Sequence, residues 1–319
     1  MDELKQKAKT LNILIIGDMM LDHYVFGKVE RISPEAPVPI VQVEKEEYRL
    51  GGAANVALNL ATLGAKVSIC SVIGGDKEGE NLTHLLRLGK IQTHFLLTSS
   101  YRKTTVKTRI IARQQQVLRI DKEDIQVINQ EENSLILANL TEDSLQKYQV
   151  IIFEDYDKGL ITKELIQPIM ALAQKLKIPV LVDPKHRNFF SYENSFLFKP
   201  NLKEIETALG VSLNRQNFEE LKDAIRLLRE KMPHTHTLLT LSEKGMIWAD
   251  EGLNITHFPT KAREILDVSG AGDTVIAVAA LTIAAQIPLY QAFELANLAG
   301  GMVCEHVGVV PVQWEMLNS

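Results

Sequence analysis

Asp267-Val268-Ser269-Gly270-Ala271-Gly272-Asp273-Thr274 runs straight into an Ala-rich apolar segment, Val275 to Ala285, which Gln286-Ile287-Pro288 ends. Two glycines around a small residue let the backbone turn sharply and let another group come close, because no Cβ stands in the way. The composition of the following segment suits a helix, and the proline stops it. Free N–H groups and the positive dipole end make such a helix start a seat for an anion. Asp273 falls in the first turn, beside that seat. A carboxylate there can take a hydroxyl proton while the N–H groups hold the charge developing on a phosphoryl group. Two other readings compete. Gly-x-Gly before a helix also opens a dinucleotide-binding turn, but position 275 is Val where a third glycine is needed, and the motif comes late in the chain. Asp273 could also be a helix-start carboxylate with no chemistry.

Outward from this turn, the chain alternates short branched apolar runs with helical segments, the pattern of an α/β sheet. Leu11 to Ile16 reads as a buried parallel strand ending in Gly17-Asp18, with Asp22 close behind. Ligands of open α/β sheets sit beyond the carboxyl ends of the strands, so Asp18 and Asp22 are candidates for the hydroxyls of a polyol. Gly51-Gly52-Ala53-Ala54-Asn55 leads into a small-residue helix closed by Gly64. The paired glycines imply close backbone approach or tight packing, and Asn55 offers a donor and an acceptor. Gln149 to Phe153 and Pro179 to Val182 are further strands, ending in Glu154-Asp155-Tyr156-Asp157-Lys158-Gly159 and Asp183-Pro184-Lys185. Glu131 to Ser144 reads as one helix. Another begins after Lys199-Pro200-Asn201, where Glu204 is either part of a Mg²⁺ shell or a helix-start acid.

Two stretches break the alternation. Tyr24 to Tyr48 contains Arg31-Ile32-Ser33-Pro34-Glu35-Ala36-Pro37-Val38-Pro39, whose three prolines exclude a helix or a central strand. Gln92 to Asp121 turns to short β segments. The first, a proline-stiffened loop feeding an exposed strand, is expected to form a flap beside the main sheet. Lys103, Thr105, Lys107, Arg109 and Arg113 share one parity, so a strand through them has a positive face. That face suits an anionic group of a substrate, or protects an edge strand by charge.

Composition limits the alternatives. The 319 residues are 45% hydrophobic and 24% charged, with a formal net charge of −5. This is the make-up of a globular protein without a general basic field, so neither nucleic acid nor an anionic membrane is an expected partner. The polar N-terminus has no signal-peptide core, and no apolar run nears the ~20 residues that span a bilayer; a cytoplasmic protein is expected. Cys70 and Cys304 sit in apolar stretches without metal spacing and read as buried thiols, and the eight histidines read as non-metal. There is no P-loop and no nucleophile elbow.

Gly51 to Asn55 near the first third, with Asp267 to Asp273 near the end, resembles the two signatures of the ribokinase-like (PfkB) carbohydrate kinases, over essentially the whole chain. The resemblance implies a doubly wound, mostly parallel sheet with helices on both faces, plus a small β lid over the sugar. One kinase domain spanning residues 1–319 is therefore expected, with lid segments at about 24–48 and 92–121. It also implies ATP and Mg²⁺, with Asp273 as base and Gly270, Ala271 and Gly272 as the anion hole. Asn201 and Glu204 match the family's Asn-x-x-Glu element near Mg²⁺ and the phosphates. Lys185, Ser242, Gly245 and Asn297 fall where such enzymes hold the nucleotide. Gly17-Asp18, Leu21-Asp22, the proline flap and Asp155-Tyr156 with Lys158-Gly159 further resemble the heptose 7-phosphate kinases. These phosphorylate the anomeric hydroxyl of D-glycero-D-manno-heptose 7-phosphate on the way to ADP-heptose. Asp18, Asp22, Gly51, Gly52, Asn55, Asp155 and Lys158 are then sugar-site candidates, and Lys107, Arg109 and Arg113 a seat for the 7-phosphate. Glu154 and Asp157 make the Asp155 loop more acidic than that group's pattern. Many such kinases are fused to a nucleotidyltransferase with a His-x-Gly-His element. This chain shows none, so the kinase unit alone is expected, with the lid as a candidate homodimer contact.

Overall fold

The computed structural model describes residues 1–113, 115–261 and 265–318. Thirteen strands are found among them, in chain order Asn12–Gly17 (β1), Met19–Ile32 (β2), Pro39–Gly52 (β3), Lys66–Gly74 (β4), Gln92–Ser99 (β5), Val106–Ala112 (β6), Gln115–Lys122 (β7), Val150–Glu154 (β8), Val180–Asp183 (β9), Ser195–Phe198 (β10), His234–Thr240 (β11), Met246–Ala249 (β12) and Ile255–Phe258 (β13). Nine form one sheet in the order β13-β12-β11-β10-β9-β8-β1-β4-β5. From β5 to β11 all neighbours are parallel, and β12 and β13 close the edge antiparallel.

Strand β1 shows why the sheet is covered on both sides. Its side chains alternate between two cores, as the twofold period of a strand requires. Ile13 and Ile15 join the core under helices Ala53–Thr62, Ala271–Ala284 and Leu289–Val303. Leu14 and Ile16 join the other, with Leu165, Ile169, Leu221 and Leu228 from helices Lys163–Leu176 and Phe218–Lys231. Strand order runs outward in both directions from β1, so the β1–β8 boundary is the topological switch point, where ligand crevices open. Small side chains let the helices close tightly above it. A Cβ on Gly300 would come within 2.7 Å of Val275.

The second sheet has the order β3-β2-β6-β7. It is the small second sheet expected from the sequence as a lid beside the main α/β sheet. Its bounds differ from those expected. The first segment begins at Met19 and ends at Gly52, wider at both ends than the 24–48 expected. The second begins at Val106, because Gln92–Ser99 pairs with β4 at the edge of the main sheet. An edge strand covered on one face carries the same mixed polarity as a lid strand, and composition does not separate them. The helix expected over 131–144 divides into Gln130–Asn139 and Glu142–Leu145, each opened by a capping box at Asn129 and Thr141.

Gly17 is the point where β1, β8 and the helix Ala53–Thr62 crowd together. A Cβ on it would lie 2.4 Å from the Glu154 carbonyl oxygen and 2.9 Å from Ala53 Cβ. Gly17→Ala should therefore destabilise the fold by about 1–3 kcal/mol, the usual cost of overpacking. A fall in the urea midpoint with unchanged slope is the expected result.

Candidate active site

The helix Ala271–Ala284 starts at Gly270, held in the left-handed region at φ 79°. A Cβ there would be strained and would lie 2.9 Å from Asn55 Nδ2. Among the described residues no side chain caps this start. Ala271 and Thr274 donate to the carbonyls of Val268 and Gly270, and the N–H groups of Gly272 and Asp273 find no acceptor there. This is the arrangement an anion-accepting helix start requires. A Cβ on Gly272 would meet nothing closer than Lys199 Nζ at 3.5 Å, so the way from the turn to that ammonium is open.

Asp273 is buried on the first turn. Tyr156 donates its hydroxyl to Asp273 Oδ1 at 2.6 Å, and Asn55 donates its amide to Oδ2 at 2.8 Å. Burial pushes the Asp273 carboxyl above its ordinary range, and the two hydrogen bonds pull against that rise. Around it stand Glu154 and Asp183, at the carboxyl ends of β8 and β9. Carboxylate oxygens of the three lie within 4.8 Å of one another. Asp183 is paired with the buried Lys199 at 2.7 Å. Burial alone would lower the Lys199 ammonium, but Asp183 and Glu154 outweigh it and hold the charge. Glu154 is fully buried, and among the described residues neither carboxylate oxygen has a hydrogen-bond partner. Desolvation, with Asp183 and Asp273 close by, drives its carboxyl well above the ordinary range.

A cleft of about 400 Å³ opens over the turn, walled by Lys185, Asn201, Ser242, Gly245, Asn297 and the Gly270 to Asp273 backbone. Gly245 is required there by geometry, with φ 84° and a hypothetical Cβ only 2.0 Å from the Phe258 carbonyl oxygen. Asn297 is oriented by donating to the Pro259 carbonyl at 2.8 Å. A larger cleft, about 530 Å³, lies far from these carboxylates, between the N-terminal helix and Leu289–Val303. It carries neither a glycine turn nor a buried acid.

Asn201 and Glu204 form a capping box: each side chain bonds the other's backbone N–H, at 2.9 and 2.8 Å. The second Glu204 oxygen is taken by Lys185. Glu204 therefore stands outside the Glu154–Asp183–Asp273 group, with both oxygens engaged. Burial would lower the Lys185 ammonium, yet Asp183 and Glu204 raise it.

On the lid side, Asp22 is buried and ion-paired with Arg109. Gly51 lies against it, where a Cβ would be 2.4 Å from Asp22 Oδ2. Lys107 and Arg109 share a face of the lid with Asp22 and Tyr24, their ladder neighbours. The face is not free positive charge: Lys107 faces Asp121 at 3.4 Å and Glu123 at 4.0 Å, and Lys158 pairs with Glu123 at 2.8 Å. Arg113 falls past the end of β6 in a left-handed conformation, with its guanidinium on the Val29 carbonyl. The parity rule extended a strand through it that stops at Ala112. Asp18 and Asp155 turn inward as well. Asp18 accepts the backbone N–H groups of Tyr156, Lys158 and Leu160. Asp155 accepts from Asp157 N–H at 2.9 Å and the Tyr192 hydroxyl at 2.8 Å. Gly52, at φ 58°, joins the lid to the helix bearing Asn55. Glu154, Asp183 and Lys199 were not selected as site residues by sequence, and Tyr156 entered only within the Asp155-Tyr156 motif, without a role. Their one signal is position, at or just past the carboxyl ends of adjacent parallel strands.

A doubly wound sheet with a cleft beyond its carboxyl strand ends, a helix start without a side-chain cap among the described residues and a buried carboxylate beside it suit a phosphotransferase acting on an alcohol. The chain belongs to the pfkB family carbohydrate kinases, whose pattern matches residues 10–315. It is 46% identical over 301 residues to the bifunctional protein HldE of Aliarcobacter butzleri, covering 94% of this chain and 62% of the relative. Against HldE of Helicobacter pylori it is 42% identical over 296 residues, covering 93% and 63%. The chain thus spans less than two thirds of these relatives. Among solved structures, the fold matches an Arabidopsis thaliana ribokinase complexed with ribose and ATP (TM-score 0.74, 15% identity, 97% and 98% of the two chains). It also matches phosphofructokinase-2 of Escherichia coli with substrates and products (TM-score 0.77, 18% identity, 97% of each).

Burial, and then the neighbouring Asp18 charge, push the Asp155 carboxyl up from 3.8 to about 7. A carboxyl with a raised folded-state pKa stabilises the fold below its unfolded pKa, and that contribution is lost as pH rises through the folded value. Wild-type stability should fall between about pH 4 and pH 7 on this account, by at most ~4 kcal/mol at 1.36 kcal/mol per unit. Asp155→Asn should remove that part of the slope in urea midpoints measured across the window.

Proposed function

We propose that the chain transfers the γ-phosphoryl group of ATP to the anomeric hydroxyl of D-glycero-D-manno-heptose 7-phosphate, a step toward ADP-heptose and the lipopolysaccharide core. The carrying observation is the Asp273 carboxylate, fixed by Asn55 and Tyr156 beside the free N–H groups of the helix start. The similarity to the HldE proteins supports the choice of sugar. Asp273 takes the hydroxyl proton as the sugar oxygen bonds to the γ-phosphorus. The bond from that phosphorus to the bridging oxygen breaks, and ADP leaves. The Gly272 and Asp273 N–H groups, with Lys199 behind them, face the charge on the transferred group. Lys185, Asn201, Ser242, Gly245 and Asn297 line the place for the nucleotide, and closure of the lid would exclude water.

Mg²⁺ fits these residues. Two buried, unpartnered oxygens on Glu154, beside Asp183, are the hard donors that a small divalent cation takes. Glu154 and Asp183 would hold it, directly or through water, in place of the expected Glu204. When bound it neutralises phosphate charge.

A kinase of an unphosphorylated sugar is the second reading, favoured by one observation: the lid-side cations are already paired with acids. ADP release with Mg-ATP and heptose 7-phosphate, ribose, fructose or no sugar separates the two. Release with heptose 7-phosphate alone, and a product phosphorylated at the anomeric carbon, is the expected result. Release only with ribose or fructose would discard the phosphate seat. Asp273→Asn should lower kcat by at least ~100-fold, the usual size of a general-base effect; near-normal turnover would remove Asp273 from the role.

The outer face of the lid suits a second copy of the chain. Ladder neighbours share a face, which places Val25 with Ile110 and Leu118, and His23 with Thr108, Ile120 and Tyr48. Leu118 and Ile120 are each 51% exposed, exposed apolar side chains on a face that also carries the His23–Glu46 pair. A homodimer through this face is expected, and Leu118→Glu should shift it to monomer by light scattering.

A further inference from the structure

The loop from Asp155 to Leu160 is fastened more heavily than a connection between a strand and a helix needs. Asp18 Oδ2 accepts from the Tyr156 and Lys158 N–H groups at 3.0 Å each, and Oδ1 from Leu160 at 3.1 Å. Asp157 is held left-handed at φ 54°, with its N–H on Asp155. Gly159 lies at φ 92°, where a Cβ would be 2.0 Å from the Gln126 carbonyl oxygen. Arg102 adds a hydrogen bond to the Lys158 carbonyl.

What this scaffold presents is one side chain. The Tyr156 ring lies beside Gly52, where the lid joins the main domain, and 5.4 Å from the Lys185 ammonium. Its hydroxyl is 2.6 Å from Asp273 Oδ1. Burial and the surrounding carboxylates push its phenol well above the ordinary range, so it stays a donor. The last torsion of an aspartate is broad, so one hydrogen bond leaves the carboxylate plane free to swing. Donors on both oxygens, Asn55 on one and Tyr156 on the other, fix the plane. Each oxygen keeps a lone pair for an incoming hydroxyl.

We propose that Tyr156 is the positioning residue for Asp273, fixing the plane from which that carboxylate takes the proton, and that Asp18 serves the reaction only through the Tyr156 loop. The proposal rests on Asp273 being the base. It ties the base to the lid junction and to the phosphate-side lysine through one ring. Misplacing a reacting group by an ångström can cost about 100-fold in rate.

The test is a double-mutant cycle on the full chain, read as ADP release with whichever sugar the wild type accepts. Tyr156→Phe keeps the ring against Gly52 and Lys185 and removes only the donor. It should lower kcat by about ten- to hundredfold, the range for a hydrogen bond to a charged group, with the KM values for sugar and ATP within about threefold. In the Asp273→Asn background the same change should cost less than about threefold, since residues that act as a unit are not additive. An equal loss in both backgrounds, or a loss appearing in KM alone, overturns the role of Tyr156 while leaving Asp273 as base. Near-normal turnover of Asp273→Asn itself overturns the base reading, and is seen separately in the single variant.

Discussion

The buried carboxylate of Asp273 is the constraint around which the site is arranged. A carboxylate taken out of water is costly unless its oxygens are satisfied. Here the satisfaction comes from two neutral donors on separate elements, Asn55 from the helix after the lid and Tyr156 from the loop after β8. Neutral donors keep the carboxylate in place without an ion pair that would quench its basicity. Of the neighbouring acids, Asp183 pairs with Lys199, while Lys185 pairs with Glu204 outside the group, and both lysines line the cleft. The lysines thus balance the group of carboxylates without touching the Asp273 oxygens in the described contacts.

The same residues connect the site to the lid. Gly51 lets the β3 backbone approach Asp22, and Gly52 turns the chain into the helix that carries Asn55. Arg49 reaches from the lid to the Val309 carbonyl at 3.1 Å, and Asp267 accepts the Gly308 N–H at 2.9 Å. The lid, the segment near Val309 and the approach to the glycine turn are therefore linked by hydrogen bonds.

Charge on the lid shows how residue type can mislead. The basic residues from Lys107 to Arg113 are a positive stripe in sequence. In the fold, Lys107 lies opposite Asp121 of the next strand and Arg109 opposite Asp22 of β2, and the third is carried past the strand end. Ion pairs between a strand and its ladder neighbours cannot be read from one strand alone. A phosphate at this face would have to compete with Asp121, Glu123 and Asp22 for the same cations.

The sequence by itself determined the α/β alternation, the two interruptions that make the lid, and the Gly-Ala-Gly-Asp helix start, because each depends on local chemistry: twofold periodicity, proline and glycine. It also placed the polar strand ends on one edge of the sheet, since parallel strands send all their carboxyl ends the same way. It left the start of the second lid segment and the division of the helix near Leu140 to the fold, where burial on one face and capping decide. Which strand-end residues converge was beyond it. Tyr156, Glu154, Asp183 and Lys199 are separated by up to 45 positions, and only the neighbouring order of β8, β9 and β10 in the sheet brings them around Asp273. The direction a carboxylate faces was decided there too. Asp18 bonds inward to backbone N–H groups of the loop after β8, Asp155 to the Asp157 N–H and the Tyr192 hydroxyl, and Glu204 caps its own helix, so the first of these orientations depends on segments that only the fold brings together.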